Sequence, residues 1–178
     1  DFALFRLSES PNGVYNPYFN GWSAESSPGT GGVGIHHPAL DAKKIATHNA
    51  TPDGNTDPNY WRIFWQATPN GHSVTEGGSS GSGLWNSDRR LIGQLFGGSS
   101  LNCSDPANDL GSYGKIATSW ESNGATEPGR RLRDWLDPLN TGTLVLNGAD
   151  ISASPPTVGF LNSPPSIVPS SRELRLVH

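Results

Sequence analysis

Three features of the sequence predict an all-β fold. The chain has 178 residues, and its 22 glycines and 15 prolines make turn-forming residues common along its whole length. It contains six tryptophans and no methionine. Short segments of alternating apolar and polar residues lie between clusters of turn formers, which is typical of strands joined by tight turns. This composition argues against a helical bundle.

Three strands are predicted in the first half of the chain. Residues 1–7 have an apolar pattern and are predicted to form a buried strand. Residues 34–37 are predicted to form a short strand that ends at Pro38, because proline cannot donate to a ladder of hydrogen bonds. Residues 60–67 alternate between two faces, which predicts a strand with one face in the core. The apolar residues of that face are Trp61, Ile63 and Trp65.

The second half is predicted to contain a hairpin, two further strands and a short helix. In chain order these are the hairpin 84–96, the strand 113–120, the helix 130–136 and the strand 143–146. The helix is expected to end before Pro138, since proline breaks a helical ladder.

One domain is predicted over residues 1–148, and a Pro/Ser-rich linker or tail over residues 149–178. Two Ser-Pro-Pro runs mark this tail as extended. The chain starts with Asp rather than Met, already inside a strand pattern and with no signal peptide before it. It is therefore expected to be cut from a longer protein with further domains on both sides.

Charge, hydropathy and cysteine content exclude several classes of protein. The net charge is −4 and no block of basic residues occurs, so no nucleic-acid partner is expected. The apolar runs are only a few residues long, so no membrane span is expected. One cysteine can form neither an internal disulfide nor a zinc site, and no metal or other cofactor is expected.

Residues 78–81, Gly-Ser-Ser-Gly, are the segment that points to chemistry. Acyl transfer by a serine needs an exposed hydroxyl on a tight turn and backbone N–H groups directed at the developing oxyanion. Ser80 fits the nucleophile, and the N–H groups of Gly78 and Ser80 fit the two donors. The alternative is an ordinary Gly/Ser hairpin loop, which is common.

Several segments, in the same order and with similar spacing, resemble the chymotrypsin-like serine peptidases and in particular their bacterial lysyl endopeptidase branch. These are 1–7 (DFALFRL), 21–23 (GWS), 35–38 (IHHP), 75–83 (TEGGSSGSG), 93–98 (GQLFGG) and 113–114 (YG). The resemblance covers residues 1–148. It implies a trypsin-like double β-barrel in which the second, Greek-key barrel is complete and the first is truncated, with a short C-terminal helix.

The resemblance implies a serine endopeptidase acting on a polypeptide substrate. Ser80 would be the nucleophile, Asp1 would orient a histidine, and the N–H groups of Gly78 and Ser80 would form the oxyanion hole. The substrate would add as a strand beside a segment of the chain, a common mode of peptide recognition. The residues of that segment would be Phe96, Gly97 and Gly98.

The histidine base is missing from the expected place. In the family the chain order is His, Asp, Ser, whereas all the histidines here follow Asp1, namely His36, His37, His48, His72 and His178. The base is therefore expected upstream of Asp1, and the present chain is expected to be inactive alone. The alternative is that one of the five histidines takes its place. His36 and His37 are expected instead to pack or hydrogen-bond beside the cleft.

The primary pocket departs from the lysine-selective pattern. Gly111 and Ser112 occupy the region where those relatives carry an Asp, and Val74 stands at the trypsin-type acidic position. Asp109 is nearby but displaced, so a preference for lysine or another basic residue is expected only if Asp109 reaches into the pocket beside Gly111. The favoured alternative for Asp109 is a solvated loop carboxylate.

Ser79 and Cys103 also carry expectations drawn from the resemblance. Ser79 stands where many relatives have an Asp that pairs with a new N-terminus after zymogen cleavage, so that switch is not expected here. Cys103 is expected to be half of a disulfide whose other half lies outside this chain, or else a lone buried thiol. The resemblance implies a secreted, extracellular bacterial protein, and in such a protein the disulfide half is the favoured alternative for Cys103.

Two other functions remain open. The first is a pseudo-peptidase with the same fold, used for binding. The second is a non-catalytic secreted β-domain for binding or adhesion, in which the six tryptophans would stack on carbohydrate.

Overall fold

The computed structural model describes residues 2–99, 109–122, 126–127 and 129–150. Within these residues the chain forms twelve strands and two short α-helices. The strands are β1 (Tyr18–Phe19), β2 (Gly21–Ser23), β3 (Gly32–His36), β4 (Lys44–His48), β5 (Tyr60–Phe64), β6 (Ala67–Thr68), β7 (Gly71–His72), β8 (Gly83–Asn86), β9 (Arg90–Ser99), β10 (Leu110–Lys115), β11 (Val145–Leu146) and β12 (Ala149–Asp150). The helices are α1 (Ile116–Glu121) and α2 (Arg133–Leu136), and 3₁₀ turns lie at Gly13–Tyr15 and Pro38–Leu40.

Eight strands form one sheet in the order β11-β2-β9-β8-β3-β4, and β10 joins β9 and β5 joins β10. All pairings are antiparallel except that of β2 with β9. Two-stranded pairs, β1 with β12 and β6 with β7, complete the described strands. The predicted all-β class is confirmed, and the trypsin-like fold is consistent with this curled sheet and small helical content.

The curl of the sheet comes from β9, which is ten residues long and shared between three neighbours. Its pairing with β8 shifts register between Leu84 and Trp85, and its pairing with β10 shifts between Ser112 and Tyr113. Irregularities of this kind bend a strand and increase its twist. The first residues of β9 therefore pair with β2 and β8, Gly93 and Gln94 lie between β8 and β10, and the last residues run along β10 beyond the start of β8.

Two separate groups of buried side chains hold the sheet and the helices. The first, called here the strand core, consists of Ala46, Trp61, Ile63, Trp65, Leu84, Ile92, Leu95 and Tyr113. The second, called the helix core, consists of Trp22, Ala24, Ile116, Trp120 and Leu132. Trp61 and Trp65 are 3% and 2% exposed, which confirms that they pack in the core and makes them unavailable for stacking on carbohydrate.

The predicted strand at residues 1–7 is wrong for the part that can be described. Residues 2–7 form no strand, and residues 3–7 are exposed, while Phe2 packs partly against the helix core. An apolar alternating pattern becomes a strand only when another strand accepts its hydrogen bonds, and no described strand pairs with this segment.

The predicted strand at residues 113–120 is also wrong in its second half. The strand β10 ends at Lys115, and α1 begins at Ile116. Ile116 and Trp120 are four residues apart and so lie on one face of the helix. That face packs on Trp22, whose ring centroid lies 4.9 Å from that of Trp120.

The remaining elements agree in position with the sequence predictions. The hairpin is β8 with β9, and the strand before Pro38 is β3. The short helix is present as α2 and the last predicted strand as β11, each shorter than expected. Ala149 and Asp150 of the predicted tail form β12, and the rest of that tail lies outside the described residues.

Candidate active site

Ser80 lies on an exposed turn just before β8. Gly78 and Gly81, on either side, have φ angles of +94° and +81°, in the left-handed region where a side chain would be strained. A Cβ at Gly78 would also lie 3.3 Å from the carbonyl oxygen of His37. The Ser80 hydroxyl makes no hydrogen bond to a described residue.

The backbone N–H groups of this turn fall into two kinds. The N–H of Ser79 donates to the Glu76 carbonyl (3.1 Å), and the N–H of Ser82 donates to the Ser79 carbonyl (3.1 Å). The N–H of Gly81 donates across the hairpin to the Leu95 carbonyl at 2.8 Å. By contrast, the N–H groups of Gly78 and Ser80 donate to no described residue.

The segment 36–40, which follows β3, holds this turn from one side. The N–H of Ala39 donates to the Gly77 carbonyl at 2.8 Å. The Nδ1 atom of His36 lies 2.9 Å from the Oγ atom of Ser79, within hydrogen-bonding distance. The turn is therefore fixed by a backbone contact and a side-chain contact to the same segment.

His36 and Ser79 are both removed from solvent, at 3% and 1% exposure. Burial lowers the pKa of His36, the charge of Glu76 opposes that shift, and His37 adds to it. His36 is therefore neutral at neutral pH, with one ring nitrogen a donor and the other an acceptor. His36 thus makes a buried hydrogen bond to the residue next to the predicted nucleophile.

The other described histidines contact carbonyl oxygens near them in sequence. The pairs are His37 Nδ1 with Asp41 (3.1 Å), His48 Nδ1 with Ala50 (3.0 Å) and His72 Nδ1 with Ser73 (3.1 Å). None of them hydrogen-bonds to Ser80. Asp1, Cys103 and His178 lie outside the described residues.

The end of β9 borders the turn, and one of its edges is unpaired within the described part of the chain. Its residues 93–99 pair with β10 on one side, whereas β8 reaches only as far as Gln94 on the other. Beyond Leu95, where the turn closes on the strand, residues 96–99 have no described strand on that side. Phe96 is 64% exposed there, and its ring centroid lies 5.1 Å from that of Tyr60.

Two predicted pocket glycines face each other across β9 and β10, since Gly98 pairs with Gly111. A Cβ at Gly98 would lie 2.1 Å from the Leu110 carbonyl oxygen, so only glycine fits there. Gly97 pairs with Ser112 and has open space where a Cβ would be.

Asp109, directly before β10, is not a solvated carboxylate, and that sequence expectation is wrong. The residue is only 2% exposed, and neither carboxylate oxygen has a hydrogen-bond partner among the described residues. Its carbonyl accepts the N–H of Trp65 at 3.0 Å, which draws it to the end of β5 and the strand core. Spacing along the sequence gave no sign of this burial, because it depends on the pairing of β10 with β5.

Known proteins resemble this chain over more than half of its length. The family model for the lysyl endopeptidase C-terminal domain matches residues 1–114. The chain belongs to this family. A lysyl endopeptidase from Pseudomonas aeruginosa is 36% identical over 122 residues, which cover 64% of this chain and 24% of that protein. The chain thus spans about a quarter of the length of that curated relative.

This family is one of serine peptidases, which are hydrolases. Within the described part of the chain, no three His, Cys, Asp or Glu residues are grouped to hold a metal ion. No helix there is long and apolar enough to cross a membrane.

Sequence reasoning missed the part of the site formed by residues 38–40. Ala39 and Leu40 adopt left-handed backbone angles, with φ of +49° and +65°, although neither is glycine. Nothing in an Ala-Leu pair signals such a conformation. The serine in place of an expected Asp at position 79 was the one available sign that a buried contact had changed there.

Proposed function

We propose that this chain is part of a serine endopeptidase in which Ser80 is the nucleophile and the N–H groups of Gly78 and Ser80 form the oxyanion hole. The observation that carries the proposal is the turn itself. An exposed serine hydroxyl stands beside two N–H groups that donate to no described residue, while neighbouring N–H groups are engaged. Free donors on a rigid turn are what the stabilisation of an oxyanion requires.

The proposed reaction is acyl transfer in two steps. The Ser80 Oγ atom bonds to the scissile carbonyl carbon while its proton passes to a histidine, and the carbonyl oxygen becomes the oxyanion. The carbon–nitrogen bond then breaks, and the histidine returns the proton to the leaving amine. Water repeats the sequence on the acyl-enzyme, which releases a carboxylic acid and restores Ser80.

A histidine and its orienting carboxylate complete the proposed triad. Asp1 is proposed to orient the histidine. The histidine is proposed to precede Asp1 in the protein encoded by the complete reading frame, which is called here the full-length protein. The contacts of the four described histidines support this, since none is to Ser80. The 178 residues alone are proposed to be inactive, and the full-length enzyme to act outside the cell.

The substrate backbone is proposed to bind along residues 96–98. The open edge of β9 supports this, because an extended peptide completes such an edge with main-chain hydrogen bonds. The Gly81 N–H to Leu95 carbonyl bond brings that edge next to the turn of Ser80.

The side chain before the scissile bond is proposed to be lysine or another basic residue, recognised by Asp109 beside Gly111. A carboxylate that is 2% exposed and lacks a partner among the described residues supports this, since a buried charge needs an opposite charge. A bound basic side chain would supply it.

Labelling of the full-length protein with a fluorophosphonate tests the nucleophile. We expect one labelled peptide, with the adduct on Ser80 and not on Ser79 or Ser82, and no labelling of Ser80→Ala. Ser23→Ala is the matched control, since Ser23 is a buried serine in β2, and it should be labelled as wild type is. Equal labelling of Ser80→Ala and wild type would rule out Ser80 as the nucleophile.

Paired substrates that differ only in lysine or alanine before the scissile bond test the role of Asp109. In Asp109→Asn, kcat/KM for the lysine substrate should fall on the order of a hundredfold, because the buried ammonium loses its partner. The alanine substrate should change little. Asp88→Asn is the control, since Asp88 is an exposed carboxylate paired with Arg90. An unchanged ratio between the two substrates in Asp109→Asn would contradict the proposal.

A further inference from the structure

The hydrogen bond between His36 and Ser79 has no part in the proposed chemistry, yet it lies directly beside it. Ser79 immediately precedes Ser80, and its side chain points away from solvent onto a buried histidine of β3. A buried pair of this kind is retained only where both polar groups are satisfied, because leaving one of them unpaired is unfavourable. The pair therefore fixes the position of Ser79 strongly.

Peptide geometry links that position to the oxyanion hole. A trans peptide unit is planar, so its carbonyl and its N–H point in opposite directions. The N–H of Gly78 shares a peptide unit with the Gly77 carbonyl, which accepts the N–H of Ala39. The N–H of Ser80 shares a unit with the Ser79 carbonyl, which accepts the N–H of Ser82. The orientation of each of these N–H groups is thus fixed by the hydrogen bond to the carbonyl of its own peptide unit.

Gly78 and Ser79 together join these two peptide units, since the unit between residues 78 and 79 lies between them. Gly77 and Gly78 have no side chains, so nothing of their own prevents the unit between them from rotating. Ser79, directly before Ser80, has a buried side chain that is hydrogen-bonded to His36. Its hydrogen bond to His36 holds the turn against the segment whose Ala39 N–H holds Gly77.

The backbone of that segment is itself strained. Ala39 and Leu40 have φ angles of +49° and +65°, and the Leu40 side chain is 95% exposed, so apolar burial does not account for the conformation. Strained residues persist only where surrounding contacts determine them, and they gather at functional sites. Here the contacts include the Ala39 bond to Gly77, the bond from the Asp41 N–H to the Pro38 carbonyl at 2.8 Å, and the anchor at His36.

We propose that His36 and Ser79 are positioning residues whose buried hydrogen bond holds the N–H groups of Gly78 and Ser80 in the orientation that stabilises the oxyanion. This rests on the proposed function of Ser80. Neither residue touches the substrate. Both act through the backbone of the turn, so they contribute to the acylation step rather than to substrate binding.

The test measures kcat, KM and the rate constant of fluorophosphonate inactivation in the full-length protein. Ser79→Ala removes the hydroxyl, and His36→Phe removes the ring nitrogens but keeps a ring. Each should lower kcat and the inactivation rate about tenfold to a hundredfold and change KM by no more than about twofold. The reason is that the displaced N–H groups of Gly78 and Ser80 no longer stabilise the oxyanion in the transition state. His36→Asn keeps a hydrogen-bonding atom where Nδ1 stands, and it should recover most of the rate.

Two matched controls separate positioning from a general loss of stability. His48→Phe changes a histidine of equal burial in the neighbouring strand β4, and Ser23→Ala changes an equally buried, hydrogen-bonded serine in β2. Both should lower the melting temperature and leave kcat near that of wild type. The double variant His36→Phe/Ser79→Ala should be no slower than the slower single variant, since both changes break one bond.

The outcomes distinguish this proposal from the one on which it rests. If wild type is not labelled, the nucleophile is wrong and the positioning role falls with it. If wild type is labelled and Ser79→Ala reacts at the wild-type rate, only the positioning role is overturned. The same holds if the control variants lose as much kcat as Ser79→Ala does. Should His36→Phe fail to fold, Ser79→Ala and His36→Asn decide the matter by the same criteria.

Discussion

Asp109 and Asp137 are buried to almost the same degree, at 2% and 7% exposure, but their surroundings differ completely. The carboxylate of Asp137, at the end of α2 beside the helix core, accepts hydrogen bonds from the N–H and hydroxyl of Thr141 and from the N–H of Gly142, all at 2.8–2.9 Å. The carboxylate of Asp109, beside the strand core, has no partner among the described residues. The first aspartate stabilises a turn, whereas the second is costly to bury alone.

The same contrast extends to the two regions as a whole. Buried side-chain atoms that lack a partner in the described structure belong to residues in or around the strand core, namely His48, Trp65, Ser82, Asp109 and Tyr113. None belongs to the helix core, where Trp22, Trp120 and their neighbours form an apolar cluster. The region that borders the proposed site thus carries unsatisfied polar groups, while the other region supplies stability. Such a division is expected where binding or chemistry requires groups that folding alone would not retain.

Removing the satisfied carboxylate should have the largest effect on stability. Asp137→Ala should lower the free energy of unfolding by about 3 kcal/mol, because two N–H groups and a hydroxyl lose a charged acceptor that is itself buried. Urea unfolding of the full-length protein, followed by tryptophan fluorescence, measures this. Asp88→Ala, at an exposed carboxylate, is the control and should change little. If Asp137→Ala were as stable as wild type, the hydrogen bonds of Asp137 would not stabilise the protein, and the contrast with Asp109 would be wrong.

Removing the unsatisfied carboxylate should act in the opposite direction. Asp109→Asn should raise the free energy of unfolding by about 2 kcal/mol, since a buried carboxylate without a partner among the described residues is replaced by an amide of similar shape. The same variant should lose its preference for a lysine substrate. A destabilised Asp109→Asn protein would mean that the carboxylate has a strong partner, and the two aspartates would then be alike.

A smaller gain is expected at Tyr113, whose hydroxyl is buried in the strand core and has no partner among the described residues. Burial raises the pKa of Tyr113, so the hydroxyl stays neutral. Tyr113→Phe should therefore stabilise the protein by about 1 kcal/mol, because it removes an unsatisfied group and keeps the ring. Thermal unfolding would reveal the change, and a lower melting temperature than that of wild type would argue against it.

The smallest effect, a pH dependence, should also separate the two regions. Burial lowers the pKa of His36; the charge of Glu76 opposes this shift, and the charge of His37 adds to it. Burial also lowers the pKa of His48, and its hydrogen bond to the Ala50 carbonyl opposes that shift. The unfolded histidines, with pKa values of about 6.5, bind protons first, so stability is complete above about pH 6.5 and falls as pH drops through the folded pKa values.

Asp137 follows a lower range of pH. Burial opposes ionisation there, but hydrogen bonds from Thr141, Gly142 and Thr143 outweigh it and lower the pKa of Asp137. Its contribution is complete above about pH 3.9 and is lost as pH falls through the folded pKa. Between pH 7.5 and 5, only the two histidines contribute to this difference. The urea midpoint should therefore fall less over that range in His36→Asn/His48→Asn than in wild type. Parallel curves for the two proteins would contradict this assignment.

Local pattern was enough to predict several elements of the fold and site. The alternation of residues 60–67 predicted the face that buries Trp61 and Trp65, and the Gly-Ser-Ser-Gly run predicted an exposed turn at Ser80. Both depend on features within a few residues, namely side-chain period and the need for glycine at positive φ. The same local pattern was misleading at residues 2–7, because a strand also needs a partner that the pattern does not specify.

The sequence by itself determined that the chain is rich in strands, where its turns lie, and that residues 78–81 form an exposed serine turn between glycines. The tertiary structure alone decided which side chains meet. His36 reaches Ser79 because the chain after β3 returns to the turn before β8, and these residues are 43 positions apart. Asp109 is buried because β10 pairs with β5. Periodicity and turn chemistry are local properties, whereas burial and hydrogen-bond partners depend on the pairing of distant strands.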